Sequence, residues 1–476
     1  MKTVLLPSHG TPFVSLRFLF ETGSVDDPDG KEGLAALTGA TLAEGGTRKR
    51  TYAQLLDALY PMAAGIGVQV DREVTVVHGT VHRDHLDRYY ELIREVVLEP
   101  IFDLKEFERL RDDQRNALVS GLRAIDDETF GMEALASLLY PGHPYGRPVE
   151  GTVRGIDVLR RDDVAAFYAA RFTRNRLTLG VAGNVPDGFL DRVAADFGSL
   201  PPGETMHAVP PAPDSASGFD TLVVTKPARA WAISLGHPLA VTRADADFFP
   251  LFLANSYFGE HRTFNGALMT KLRSDRGLNY GNYSYVEQFV QDGGSTFGLP
   301  NVARRRQAFT IWIRPVAAEH AHFAIRLAVR ELRRLVEDGL TRDAFDETRE
   351  FLLNYSKLWV QTPARRLGFA MDGAFYGGKS LVDELADRLP AMTVEDVNAA
   401  VRRHLAPESL SVAVIADPEG AGAFVQALAA NTPSPVVYES ATKPEVLAED
   451  LEIAREPLSV EAARCRIVPA ETMFEK

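Results

Sequence analysis

Cysteine is nearly absent: Cys465 is the one thiol in 476 residues, so an internal disulfide and any cysteine-based metal site are excluded. No apolar run approaches the roughly 18 residues that a membrane-spanning helix needs. The apolar stretch at the start, Val4 to Leu6 before Pro7, is too short for the core of a secretory leader. The expected location is therefore cytoplasmic, or periplasmic if a leader has been removed. Positive charge is outnumbered, with 52 Lys and Arg against 65 Asp and Glu for a net charge of −13, which argues against a nucleic-acid partner. No nucleophile elbow, phosphate loop or dinucleotide fingerprint stands in a strand-to-helix context. The pair Gly293 and Gly294 falls in a loop between strands and lacks the lysine of a phosphate loop.

What is present is a chain long enough for at least two domains, with 45% hydrophobic and 25% charged residues, the balance of a globular protein. Residues 200–219 hold five prolines among small polar residues without a period and read as a linker. The halves on either side repeat one order of elements. Residues 74–118 and 308–358 each read as a strand, a helix, a turn and a second helix, and the segments starting at Asp162 and Glu395 each read as a helix leading into a buried strand. The expectation is an α+β chain of two homologous domains, 1–199 and 220–435, each a mostly antiparallel sheet with helices packed on one face. Alternation at 14–20 and 232–235 marks two of the strands. Residues 436–476 have no counterpart in the repeat and are expected to pack as an extended tail. The basic cluster Arg304 to Arg306 reads as a solvated loop edge.

In residues 20–46, FETGSVDDPDGKEGLAALTGATLAEGG, a strand ends in a Gly-Ser turn and a helix opens with Gly33, Leu34 and Ala35. This stretch resembles the metal-binding segment of the pitrilysin/insulinase (inverzincin) metallopeptidases. The segment 139–152, LYPGHPYGRPVEGT, adds to the likeness, which covers nearly all of residues 12–435. In active members the helix carries His-x-x-Glu-His, two ligands one turn apart with a glutamate base between them, and a later helix supplies a third ligand. The positions that match are Ala36, Gly39, Ala40 and, about 77 residues on, Ala117. None offers a lone pair, whereas hydrolytic zinc needs three protein ligands and a water. The resemblance is therefore to a member without the metal. If Gly39 lies mid-helix, restoring a glutamate there should favour the helix by about 0.5–1 kcal/mol.

The segment FNGALMTKLRSDRGLNYGNYSY resembles the family's Arg and Tyr pair, with Arg273 and Tyr280 seven residues apart. Residues 266–273 read as the last turns of a helix, Gly277 as its terminator and Tyr280 as the start of a strand. A guanidinium and a phenol on opposite sides of a turn can both donate to one carbonyl oxygen. The plainer reading is a surface ion pair for Arg273 and a sheet-filling role for Tyr280. Glu260 and His261 stand where relatives carry a glycine-containing loop that touches substrate. His78, His82 and His85, and His320 with His322, lie near strand ends and helix starts, where capping or solvation explains them more simply than a metal. The resemblance implies a non-catalytic subunit of a heterodimeric zinc endopeptidase that gives Arg273, Tyr280 and half of a clam-shell chamber to a zinc-bearing partner acting on peptide or unfolded polypeptide. It implies no cofactor in this chain, with zinc in the partner. Alternatives are a structural role, as in the family's respiratory-complex core proteins, and a peptide-binding homodimer without hydrolysis.

Overall fold

Two strands show how the sheets are built. Leu177–Gly183 and Ser411–Ala416 are buried along their whole length, so each runs through a sheet covered on both faces. The computed structural model describes residues 1–204, 218–263, 265–438 and 442–476; most of the expected linker, 205–217, lies outside the described residues. The first half runs β1 (Lys2–Pro7), β2 (Phe13–Phe20), α1 (Leu34–Glu44), α2 (Tyr52–Leu59), β3 (Gly67–Val70), β4 (Thr75–His82), α3 (Leu86–Leu98), α4 (Leu104–Asn116), α5 (Asp127–Leu139), α6 (Val153–Val158), α7 (Arg161–Arg171), β5 (Leu177–Gly183) and α8 (Phe189–Phe197). The second half runs β6 (Phe219–Thr225), β7 (Trp231–Leu239), α9 (Phe248–Gly259), β8 (Asn282–Tyr285), β9 (Gln307–Val316), α10 (Ala321–Glu337), α11 (Arg342–Trp359), α12 (Pro363–Tyr376), α13 (Leu381–Arg388), α14 (Val394–His404), β10 (Ser411–Ala416) and α15 (Pro418–Ala429). After them come α16 (Pro444–Ile453) and β11 (Val460–Pro469).

The repeat expected from the sequence is visible strand by strand. The first sheet has the order β1-β5-β2-β4-β3 and the second β11-β6-β10-β7-β9-β8, so the two superpose with β11 added at an edge. β1 pairs with β5 and β6 with β10 in parallel; the other pairings within the repeat are antiparallel. Each domain is thus an α+β unit whose own helices cover one face of its sheet.

The opposite face is covered from the other half. Alternate residues of a strand point to opposite faces, so their neighbours report what lies on each. In β10, Val412 and Val414 join the core of the second half, while Ala413 and Ile415 pack against Phe130, Ala134 and Leu135 of α5, a first-half helix. In β2, Leu16 and Phe18 face the first-half core, while Leu19 packs with Leu367 and Met371 of α12, a second-half helix. α5 and α12 occupy equivalent places in the repeat, so the halves exchange the same helix.

A long loop, residues 286–306, ties the halves further, although its counterpart between β3 and β4 is a turn of four residues, 71–74. Arg17 of β2 donates to Oδ1 of Asn301 at 2.7 Å, and Gln69 of β3 donates to the Pro300 carbonyl at 3.2 Å. This corrects the reading of Arg304 to Arg306 as a solvated edge. Arg304 is 6% exposed and paired with Asp71, and Arg305 is paired with Glu73 and Glu21. The cluster meets acids more than 200 residues away, which a local reading of charge cannot register. Residues 436–476 also depart from the extended tail expected. α16 is anchored by Arg276, whose guanidinium donates to Asp450 at 2.8 Å and Glu449 at 2.7 Å, and β11 adds a parallel strand to the open edge of β6.

Candidate functional site

The start of α1 is held by Asp27. Its carboxylate accepts from the backbone N–H groups of Gly33 and Ala35, each at 2.7 Å, and burial pushes its pKa up to about 7 against those hydrogen bonds. Gln114 of α4 reaches over the same helix start and donates to the Gly33 carbonyl at 2.9 Å. Ala36 and Ala40 are half-buried on α1, Gly39 is buried, and Ala117 is exposed at the start of the π-helical segment Ala117–Leu122 that extends α4. A Cβ on Gly39 would stand 2.3 Å from Cγ2 of Val70. Glycine here lets α1 approach β3, so the expected helix gain on substituting it is outweighed by a clash with a stiff, branched side chain. Zinc does not fit this donor set of three alanines and a glycine. Among the described residues no group of three His, Cys, Asp or Glu is placed to hold a metal ion.

The histidines take ordinary places. His78 lies opposite Arg17 across the β2–β4 ladder, and burial lowers its pKa to about 4. Nδ1 of His82 accepts from the Asp84 N–H at 3.3 Å, capping the turn that contains His85. His320 is the N-cap residue of α10, and His322 on its first turn is buried, with its pKa lowered to about 4 by burial.

Arg273 lies in a second π-helical segment, Met269–Ser274, which ends in a left-handed glycine. Gly277 has φ +64°, its N–H donates to the Arg273 carbonyl at 2.7 Å, and the Leu278 N–H donates to the Leu272 carbonyl at 3.0 Å. The first bond is that of a left-handed glycine stop, so Gly277 terminates the helix as the sequence implied. β8 begins at Asn282, two residues after the expected start at Tyr280. Arg273 is half-buried and Tyr280 is 79% exposed. Neither lines the cavity of about 550 Å³ between the halves, which is walled by Ala117, Met132, Glu133, Tyr140, Arg304 and Trp312 among others.

His261 is buried in an aromatic cluster that sequence reasoning missed. Its Nδ1 lies 2.7 Å from the Tyr285 hydroxyl and its ring lies 4.4 Å from that of Phe289 and 4.6 Å from that of Tyr283. Burial lowers its pKa to about 4. The signal available was β8 itself, where Tyr283 and Tyr285 alternate onto one face. Glu260 is half-buried in a separate, smaller cavity, and burial pushes its carboxyl up to about 7.

Two open sheets of equivalent topology and an exchanged helix pair define a duplicated α+β fold. Residues 2–153 match the insulinase family, peptidase family M16, and residues 159–352 match the peptidase M16 inactive domain. The chain belongs to the M16 peptidase family. It is 26% identical over 382 residues to an uncharacterized zinc protease of Streptomyces coelicolor, covering 77% of this chain and 78% of that protein. It is 21% identical over 431 residues to the non-peptidase homolog YmxG of Helicobacter pylori, covering 86% and 90%. Its fold is similar to that of the peptidase M16 inactive domain from Pseudomonas fluorescens, with a TM-score of 0.75 at 21% identity over 87% of this chain and 95% of the other.

Proposed function

We propose that this M16-family, peptidase-like chain is the non-catalytic subunit of a heterodimeric zinc endopeptidase. The observation that carries the reading is the placement of Tyr280: a large phenol left 79% exposed, three residues after the Gly277 helix stop, in a chain whose own expected metal positions are Ala and Gly. A bound peptide or a second subunit would give that side chain a surface to pack against. Relatives named as zinc proteases and one named a non-peptidase homolog fit a family in which the two kinds coexist.

In this reading the zinc-bearing subunit activates water, and this chain contributes two hydrogen-bond donors. The Arg273 guanidinium and the Tyr280 hydroxyl donate to the scissile carbonyl as its oxygen gains negative charge. The remainder of the chain supplies half of the chamber. No cofactor is assigned to this chain. The test is isolation of the native assembly with elemental analysis of both the assembly and the separated chain. The expected result is a homologous zinc-bearing partner and no stoichiometric zinc in this chain alone; about one zinc per isolated chain would overturn the reading.

A further inference from the structure

Several acids inside this protein are matched by a base close at hand. Asp71 has Arg304, Glu73 has Arg305, Glu287 has Arg243 at 2.8 and 2.9 Å, and Asp450 has Arg276. Glu260 has no such partner: among the described residues no cation forms an ion pair with it. It borders a cavity of about 80 Å³ inside the second half, beside Asn255. The walls are aromatic, formed by Phe252, Tyr285, Phe289, Phe297, Tyr355 and Trp359. The rings hold one another in place. Trp359 lies 6.0 Å from Phe252 and 5.7 Å from Tyr355, Tyr355 lies 5.9 Å from Phe297, and Tyr285 stacks on Phe289 at 4.7 Å. Arg243 also lines the cavity, but its charge is matched by the bidentate Glu287. At the mouth, Thr296 is exposed and its Oγ1 lies 3.4 Å from the Tyr355 hydroxyl.

We propose that this cavity is a receptor for an alkylammonium cation, with Glu260 meeting the charge and the rings of Tyr355, Trp359 and their neighbours enclosing the adjacent methylene groups. An acid without a counter-ion inside a ring of π faces is the arrangement that favours a desolvated ammonium. The volume suits an ammonium with roughly one or two methylenes, at about 30 Å³ per water-sized group. The proposal does not rest on the heterodimer reading, because every group it uses belongs to this chain and none of them is Arg273 or Tyr280.

The whole purified chain is titrated with ethylammonium and with ethanol as the neutral isostere, read by calorimetry and by tryptophan fluorescence. Binding of the amine but not the alcohol is expected. Glu260→Gln should weaken it by roughly tenfold or more, and Tyr355→Leu, at a half-buried site, should weaken it independently. Affinity should be about tenfold lower at pH 6 than at pH 8, because protonating Glu260 removes the charge. Around Glu260, Tyr285 and Tyr355 are held above the usual tyrosine range by burial and His261 is held at about 4, so the window belongs to Glu260. A lysine-containing peptide that competes, where its acetyl-lysine form does not, makes a polypeptide side chain the source; competition by free amines alone makes it a small molecule. No binding at about 10 mM amine, or equal binding by wild type and Glu260→Gln, overturns the proposal.

Discussion

Nε of Arg304 donates to Oδ1 of Asp71 across 2.8 Å, and this bond joins the second half of the chain to the first. The side chains are 7% and 6% exposed, so neither charge can turn to solvent if the other is removed. Arg304→Ala should therefore cost about 3–5 kcal/mol, much of it the cost of leaving Asp71 buried and unmatched. Arg304→Met with Asp71→Leu should cost less than the sum of the two single changes. Urea unfolding of the three variants measures the coupling; additive losses would mean the pair does not act as a unit.

Gly39 gives a prediction whose sign is opposite to that of helix propensity. In an open helix, Gly→Ala favours the helical state by up to about 1 kcal/mol. Here the new methyl would meet Val70 Cγ2 at 2.3 Å, and overpacking of that kind costs about 1–3 kcal/mol. Gly39→Ala should lower the unfolding midpoint in the wild-type background, and Val70→Ala should convert the same substitution to neutral or stabilising. A stabilising Gly39→Ala with Val70 intact would show that α1 and β3 are farther apart than described.

Acid should weaken the fold through buried histidines. Burial lowers His78, His261 and His322 to about 4, below the ordinary value near 6.5. Between those values the unfolded chain binds more protons than the folded one, so stability is full above about pH 6.5 and falls as pH drops towards 4. His322→Phe, which cannot take up a proton, should show a shallower fall over that interval in urea unfolding at stepped pH. An unchanged slope would mean that His322 titrates normally when folded.

The duplication was legible because it is carried by local periods. The strand-helix-helix order of 74–118 returns at 308–358, and the matching strand orders follow from it. The exchange of α5 and α12 was not, since a helix's apolar face does not state which sheet it covers. A clue was present in SVAVIA of β10, an unbroken apolar run that belongs to a strand buried on both faces. The stop at Gly277 could be read because it depends on one residue's φ. The places of Arg304, Arg276 and Glu260 could not, because each is defined by partners, or by their absence, far along the chain. The alanines and the glycine at the positions expected to hold a metal were plain in the sequence, but the tight packing behind Gly39 was visible only once α1 and β3 were set side by side.

The claim that this chain lends donors to another subunit's chemistry is tested most directly by Tyr280→Phe, which removes one hydroxyl from an exposed side chain and leaves the ring. The measurement is turnover of a quenched fluorescent peptide by the chain reconstituted with its zinc-bearing partner, with Arg273→Ala run in parallel and association followed by gel filtration. The account predicts that both variants still associate and that each lowers turnover on the order of 100- to 1,000-fold, the usual loss for one donor to a developing oxyanion. Full turnover in both variants, with association intact, would contradict it and leave the chain a scaffold.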